Sequence, residues 1–208
     1  MTKKLQSIEV EEKLKALGLV VFTPREFQGV FGVAQKAASM FILNNVKSGL
    51  FIKLRNNFYA IKDSNHDYFF IANKLYQPSY ISLETVLSHY KIIPEVVYGT
   101  TSITTKAPRE FRTPIGNFTY QHIKIEVFTG YKLQEIDRYK ALVAEPEKAL
   151  ADYLYFVDLK KILLNDRLKL KSINKPKLIE YAKLFKRPGM LELINKIYVD
   201  SRQSRTIY

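Results

Sequence analysis

The chain contains no cysteine. That absence excludes disulfides, cysteine-ligated zinc, iron–sulfur clusters and thiol catalysis, and it fits a reducing compartment. Long apolar runs are missing as well, and no stretch approaches the ~20 residues of a membrane span. The opening MTKKLQSIEVEEKLKALGLVVF carries charges before Leu14 and no small-residue cleavage pattern. Neither a secretory leader nor a membrane partner is therefore expected, and the expected location is the cytoplasm. Histidine is scarce. His66, His89 and His122 lie far apart, without the spacing of metal ligands. There is no glycine loop to cradle phosphate and no nucleophile elbow. No metal, cofactor or enzymatic activity is expected.

Acidic residues are outnumbered, 20 against 33 Lys and Arg, for a net charge of +13 over 208 residues. The excess is segregated. Residues 1–62 hold a net +6, residues 63–159 a net −2 and residues 160–208 a net +9. A positive charge concentrated at both ends favours a polyanionic partner.

The first sixty residues carry a definite order of elements. Ser7 to Leu17 reads as a helix capped by Ser7, with Ile8, Leu14 and Leu17 as its apolar side. Thr23-Pro24-Arg25-Glu26 combines a cap, proline in the first turn and the glutamate of a capping box. A short helix follows, punctuated by Gly29 and Gly32, then a longer one from about Val33 to Lys47. Leu50–Arg55, Asn56-Asn57 and Phe58–Ile61 read as a hairpin, since asparagine tolerates the positive φ of a tight turn. Helix, short helix, long helix and two-stranded ribbon is the order of a winged helix-turn-helix, in which the third helix enters the major groove of DNA. Ala34, Ala38, Phe41 and Ile42 share its inner face, with Asn45 as a polar intruder. Lys36, Ser39 and Lys47 lie opposite, with Gln35 at the edge, and Met40 and Leu43 interrupt that polar face. The expected DNA contacts are Gln35, Lys36, Ser39 and Lys47 on the helix, and Lys53, Arg55, Asn56 and Asn57 on the wing.

The polar segment Lys62 to Asp67 marks a boundary. It divides a winged helix-turn-helix domain, residues 1–66, from a second domain, residues 67–208. The second reads as α+β, with a mainly antiparallel sheet and C-terminal helices. Its expected strands are Tyr68–Ala72, Val96–Tyr98, Ser102–Thr105, Phe118–Ile123, Ile125–Phe128 and Ala141–Ala144. Its expected helices begin at Ser82 and at Pro146, with two more near Pro176–Phe185 and Gly189–Val199. The densest acid/base cluster is Glu145, Glu147, Lys148 and Asp152. A metal nuclease needs acidic groups converging from separate elements, and these lie on one segment. A nuclease is therefore the weakest reading, with Glu147 stabilised in a first turn and Lys148 exposed or paired. The basic stretch from Lys160 to Arg187 is interspersed with leucine and isoleucine, so its helices pack. It reads equally as a second polyanion surface or as a solvated face.

Several segments together resemble the AbiEi antitoxin family. Pro78–Tyr90 (PSYISLETVLSHY) is similar to the family's YISLESAL segment. Thr100-Thr101 with Lys106, Arg109 and Arg112 resembles its threonine- and arginine-containing stretch. Ile115–Ile123 resembles its LG.F.Y.HI hairpin, and Val143–Asp152 (VAEPEKALAD) its PEKALLD helix start. Lys53–Tyr59 resembles its wing, with Asn57 where the family often has glycine. The likeness spans roughly residues 5–160. It implies an antitoxin of a type IV toxin–antitoxin system associated with abortive infection by phage. It further implies an N-terminal domain that binds an inverted repeat in its own promoter and represses the operon. The second domain would counteract a nucleotidyltransferase-like toxin, without necessarily forming a stable complex with it. The competing reading is a stand-alone winged-helix regulator or nucleic-acid-binding protein with no toxin.

Overall fold

The computed structural model describes residues 5–136 and 138–203. They form a mixed α+β protein with eight α-helices and two sheets among the described residues. The chain divides into two compact units. One runs to Asp67 and takes in Phe111–Asn117. The other holds Tyr68–Glu110 and the chain from Phe118 onward.

The first unit begins with α1, Ser7–Ala16. Its buried stripe is Val10 and Leu14, an i, i+4 pair, while Ile8 and Leu17 face solvent. Ser7 is not the cap, because Gln6 occupies that position without a side-chain bond. The Ser7 hydroxyl instead donates to Asn45 Oδ1 at 2.8 Å. A short strand β1, Val21–Phe22, leads into α2, Pro24–Phe31. The expected capping box is present. Glu26 N donates to Thr23 Oγ1 at 3.2 Å, and Thr23 N donates to Glu26 Oε2 at 2.7 Å. Gly32 ends this helix at φ 64°, a left-handed conformation that costs glycine little. Then come α3, Gln35–Lys47, and the hairpin of β2, Phe51–Arg55, with β3, Phe58–Ile61. β3 lies between β1 and β2, antiparallel to both. The core is largely aromatic. Phe22, Phe27 and Phe51 are fully buried, and the Phe22 and Phe51 rings meet edge to face at 5.0 Å. Burial of each such ring contributes about 1.5–3 kcal/mol.

The second unit opens with a departure from expectation. Tyr68–Leu75 is a helix, α4, not a strand. Its β-prone aromatic residues favour extension locally, but Ile71, Ala72 and Leu75 form a one-sided buried stripe. That stripe has helical period, and tertiary burial outweighs local propensity. Then follow β4, Ser79–Ile81, α5, Leu83–His89, β5, Thr100–Thr104, β6, Arg109–Thr113, and β7, Gly116–His122. The chain continues through β8, Tyr131–Ile136, β9, Tyr139–Ala144, α6, Pro146–Asp158, α7, Lys175–Leu184, and α8, Pro188–Gln203. Two expected strands are absent. Val96 and Tyr98 are 75% and 95% exposed in a connecting segment. Ile125–Val127 is a 3-10 turn, whose bonds are local: Phe128 N donates to Ile125 O at 3.1 Å.

The six-stranded sheet has the order β6-β7-β5-β4-β9-β8. It is more mixed than expected. β4–β5 and β8–β9 are antiparallel, but β5–β7 and β4–β9 are parallel. The interior strand β4 is buried along its whole length, as is usual for strands covered on both faces. No helix among the described residues is long and apolar enough to cross a membrane.

Candidate nucleic-acid interface and a buried charge network

Packing decides which side of α3 faces outward. Ala38, Ile42 and Asn45 are buried. Asn45 is satisfied there, accepting from Ser7 and donating through Nδ2 to Phe41 O at 2.9 Å. Its position on the inner face is thereby explained as a tie between α1 and α3. The opposite stripe is Lys36, Met40, Leu43 and Lys47, at spacings of four, three and four residues. All four are exposed, Met40 by 57% and Leu43 by 50%. At 100° per residue they share an arc of about 60° and span about 16 Å of axis. Asn44, which the sequence reading passed over, is exposed beside them. Among the expected contacts, Lys36 and Lys47 lie on this stripe. Gln35 is exposed in the first turn, about 80° from the stripe's edge, and Ser39 is half-buried, about 40° from the same edge.

The other four expected residues gather at the β2–β3 hairpin. Lys53 is exposed on β2 and Arg55 is half-buried at its end. The Arg55 guanidinium lies 3.9 Å from the centre of the Phe58 ring, and its Nη1 donates to Asn56 O at 3.3 Å. The centre of the Phe111 ring lies 5.3 Å from the same guanidinium, so two rings and the turn carbonyl hold it. Asn56 and Asn57 form the exposed two-residue turn, with Asn57 at φ 62°. Asparagine holds that left-handed conformation at low cost, so glycine is not needed there.

The second unit holds a different arrangement. Lys148 and Asp152, one turn apart on α6, are both completely buried and form an ion pair. Tyr80 Oη and Ser82 Oγ donate to the other carboxylate oxygen at 2.9 and 2.8 Å. Ser82 precedes α5 but does not cap it, since its hydroxyl is committed to Asp152. The Lys148 ammonium lies 4.9 Å from the centre of the Phe185 ring. Burial pushes the Asp152 carboxyl up, and the donors around it pull it back toward ionisation. Burial, with Asp152 beside it, also raises the Tyr80 phenol.

Nearer the surface, Glu145 accepts from Tyr181 Oη at 2.6 Å and pairs with Lys132 and with Lys177, the latter at 2.9 Å. Partial burial pushes its carboxyl up. The hydrogen bonds from Lys132, Tyr181 and Lys177 outweigh that and hold it at about 2. Glu147 Oε1 accepts from Asn174 N at 3.0 Å, which fastens the start of α7. The two sequence segments YIS and PEKALAD thus meet in one network. With Lys148, Tyr80 and Ser82 all on Asp152, its oxygens are occupied by the protein's own donors. A substrate or metal would have to displace them. Of the two expectations for Lys148, exposed or paired, the second holds, and the missed signal was burial: Lys148 is as fully covered as the Asp152 it pairs with.

His122 Nδ1 lies 3.1 Å from Lys106 O, and His66 Nε2 lies 3.0 Å from Lys62 O, each a contact with a backbone carbonyl. No group of three or more His, Asp or Glu residues suited to a metal occurs among the described residues. No protein-family model matches the chain, and no curated protein matches it.

Proposed function

We propose that this chain binds duplex DNA through a winged helix at its N-terminus, with α3 in the major groove and the β2–β3 hairpin as the wing. The observation that carries this reading is the outward stripe of α3, bounded by Lys36 and Lys47, in a unit ordered helix, strand, helix, helix and hairpin. The hairpin adds Lys53, Arg55, Asn56 and Asn57, groups suited to phosphate and minor-groove contacts. Gln35 and Ser39 contribute from one flank of α3, off the stripe itself. The near-neutral charge of residues 63–159 makes that region a poorer polyanion surface.

The resemblance to AbiEi antitoxins supplies the biological frame. In it the chain is a cytoplasmic, non-enzymatic antitoxin that represses its own operon at an inverted repeat and counteracts a nucleotidyltransferase-like toxin. The meeting of the YIS and PEKALAD segments in one buried network gives those segments a shared structural reason for their residue types.

The test uses the full chain and duplex DNA from upstream of its own coding sequence. Gel-shift titration should show preference over a scrambled duplex, and affinity should fall steeply with salt through counterion release. Equal affinity for the scrambled duplex would overturn sequence-specific repression. Co-expression with a nucleotidyltransferase encoded immediately downstream should restore growth even for Lys53→Ala, Arg55→Ala. Rescue that requires the intact hairpin would assign neutralisation to repression instead.

A further inference from the structure

The outward face of α3 has an unusual chemistry for a DNA-reading helix. Its two central positions, Met40 and Leu43, are large, apolar and half or more exposed. Exposed lysines flank them at both ends of the stripe, Lys36 and Lys47. The helix carries no arginine, the side chain that most often reads guanine. Its exposed amides are Gln35 and Asn44, whose bidentate partner in the major groove is adenine. In the major groove the apolar feature of a base pair is the 5-methyl group of thymine. Cationic ends that settle on phosphates would bring the apolar centre against base edges.

We infer that Met40 and Leu43 are specificity-determining residues that pack against thymine 5-methyl groups, so that the half-site under α3 is rich in A·T pairs. This rests on the DNA-binding reading above and adds the class of sequence it selects. The lysines supply sequence-independent attraction, and the two apolar side chains supply discrimination. Desolvating a methyl group against them favours thymine over uracil, which presents the same hydrogen-bonding edge without the methyl.

The experiment is a selection of duplexes from a randomised pool by the full chain, followed by resynthesis of the enriched duplex with deoxyuridine at one thymine position at a time. At contacted positions, removal of the methyl should weaken binding about 3- to 5-fold, the equivalent of one buried carbon. In Met40→Ala and Leu43→Ala the thymine-to-uracil ratio at one such position each should fall to about 1, whereas uracil in the flanks should have no effect. Both residues are exposed, and circular dichroism of each variant confirms the fold. Equal binding of thymine and uracil duplexes throughout would overturn the inference and leave DNA binding standing. Discrimination that persists in both variants would overturn the assignment to these residues. A loss of self-association in the variants, with discrimination unchanged, would give the face to a second copy of the chain and overturn it too. A pool with no enriched sequence would overturn both this inference and the function it rests on.

Discussion

Lys148 and Asp152 form an ion pair with no water access to either side chain, and two hydroxyls complete the carboxylate's coordination. A buried pair of this kind contributes little net stability, since both charges must leave water, yet it is costly to break. Asp152→Asn and Lys148→Met should each destabilise the chain by about 3–5 kcal/mol in urea unfolding. The double variant Lys148→Met, Asp152→Asn should cost less than the sum, because no unpaired charge remains. Additive losses would show that the two side chains act independently.

The close approach beside this pair makes a second site sensitive. Gly130 sits at φ 77°, and a Cβ there would lie 2.7 Å from the Tyr181 ring and 2.8 Å from Lys148 Cγ. Both the backbone conformation and the space oppose any side chain. Gly130→Ala should lower stability by about 2 kcal/mol or more. Thermal unfolding that is unchanged would refute the tight packing around α6.

Glu145 predicts an acid limb. Its carboxyl is held at about 2, below the ordinary 4.5, by donors from Lys132, Tyr181 and Lys177. A folded-state value below the unfolded one means stability that is fully present above pH 4.5. It is lost as pH falls through the window down to about 2. Glu145→Gln should be less stable at neutral pH and should show a shallower loss across that window. Parallel pH profiles for the two proteins would mean that the bonds to Glu145 form equally in the unfolded chain.

If the chain binds DNA as proposed, the hairpin and α3 should separate by their kinds of effect. Lys53→Ala, Arg55→Ala should weaken binding to all DNA sequences and reduce the magnitude of the salt slope by about 2. Gln35→Ala should leave the salt slope alone and relax preference at one position. An unchanged affinity in the hairpin variant would mean that α3 docks without the wing.

Asn45 offers a test confined to the first unit. Its side chain bonds Ser7 Oγ and Phe41 O while being almost wholly buried. Asn45→Ala takes the side-chain donor from the Phe41 carbonyl, removes the tie to Ser7 and opens space between α1 and α3. A loss of about 1–3 kcal/mol is expected by denaturant titration, against under about 0.5 kcal/mol for the exposed Asn44→Ala.

Sequence reading succeeded where the determinants are local. The capping box of Thr23 and Glu26, the prolines that begin α2 and α6, and the Asn56-Asn57 turn are each specified within four residues, and each is present. It failed where distant packing decides. Tyr68–Ala72 has β-prone residues, yet its burial period is helical, and that period depends on the neighbours of Ile71 and Leu75. Ser7 and Ser82 were both expected as caps, but Ser7 lies one residue inside α1, and both hydroxyls are claimed by residues far along the chain, Asn45 and Asp152. At the candidate interface the cationic positions were legible from composition and period. Met40 and Leu43 were legible as interruptions of the polar face, and both are exposed, whereas the outward position of Asn44 required knowledge of which arc of α3 is covered.

The place of β4 in its sheet sets the timing of assembly. β4 is an interior strand, and on one side it is bonded to β9 in parallel, Ile81 opposite Val143. β5 through β8 are all synthesised between the two. Until β9 and α6 emerge, a nascent chain has β4 with one open edge, and Tyr80 and Ser82 with no Asp152 to receive their hydroxyls. Closing so long a loop is entropically slow, so the second unit should fold late and almost all at once. The first unit gathers its core from local helices and a hairpin. During synthesis, the surface proposed to meet DNA should therefore form ahead of the polar network that locks the second unit.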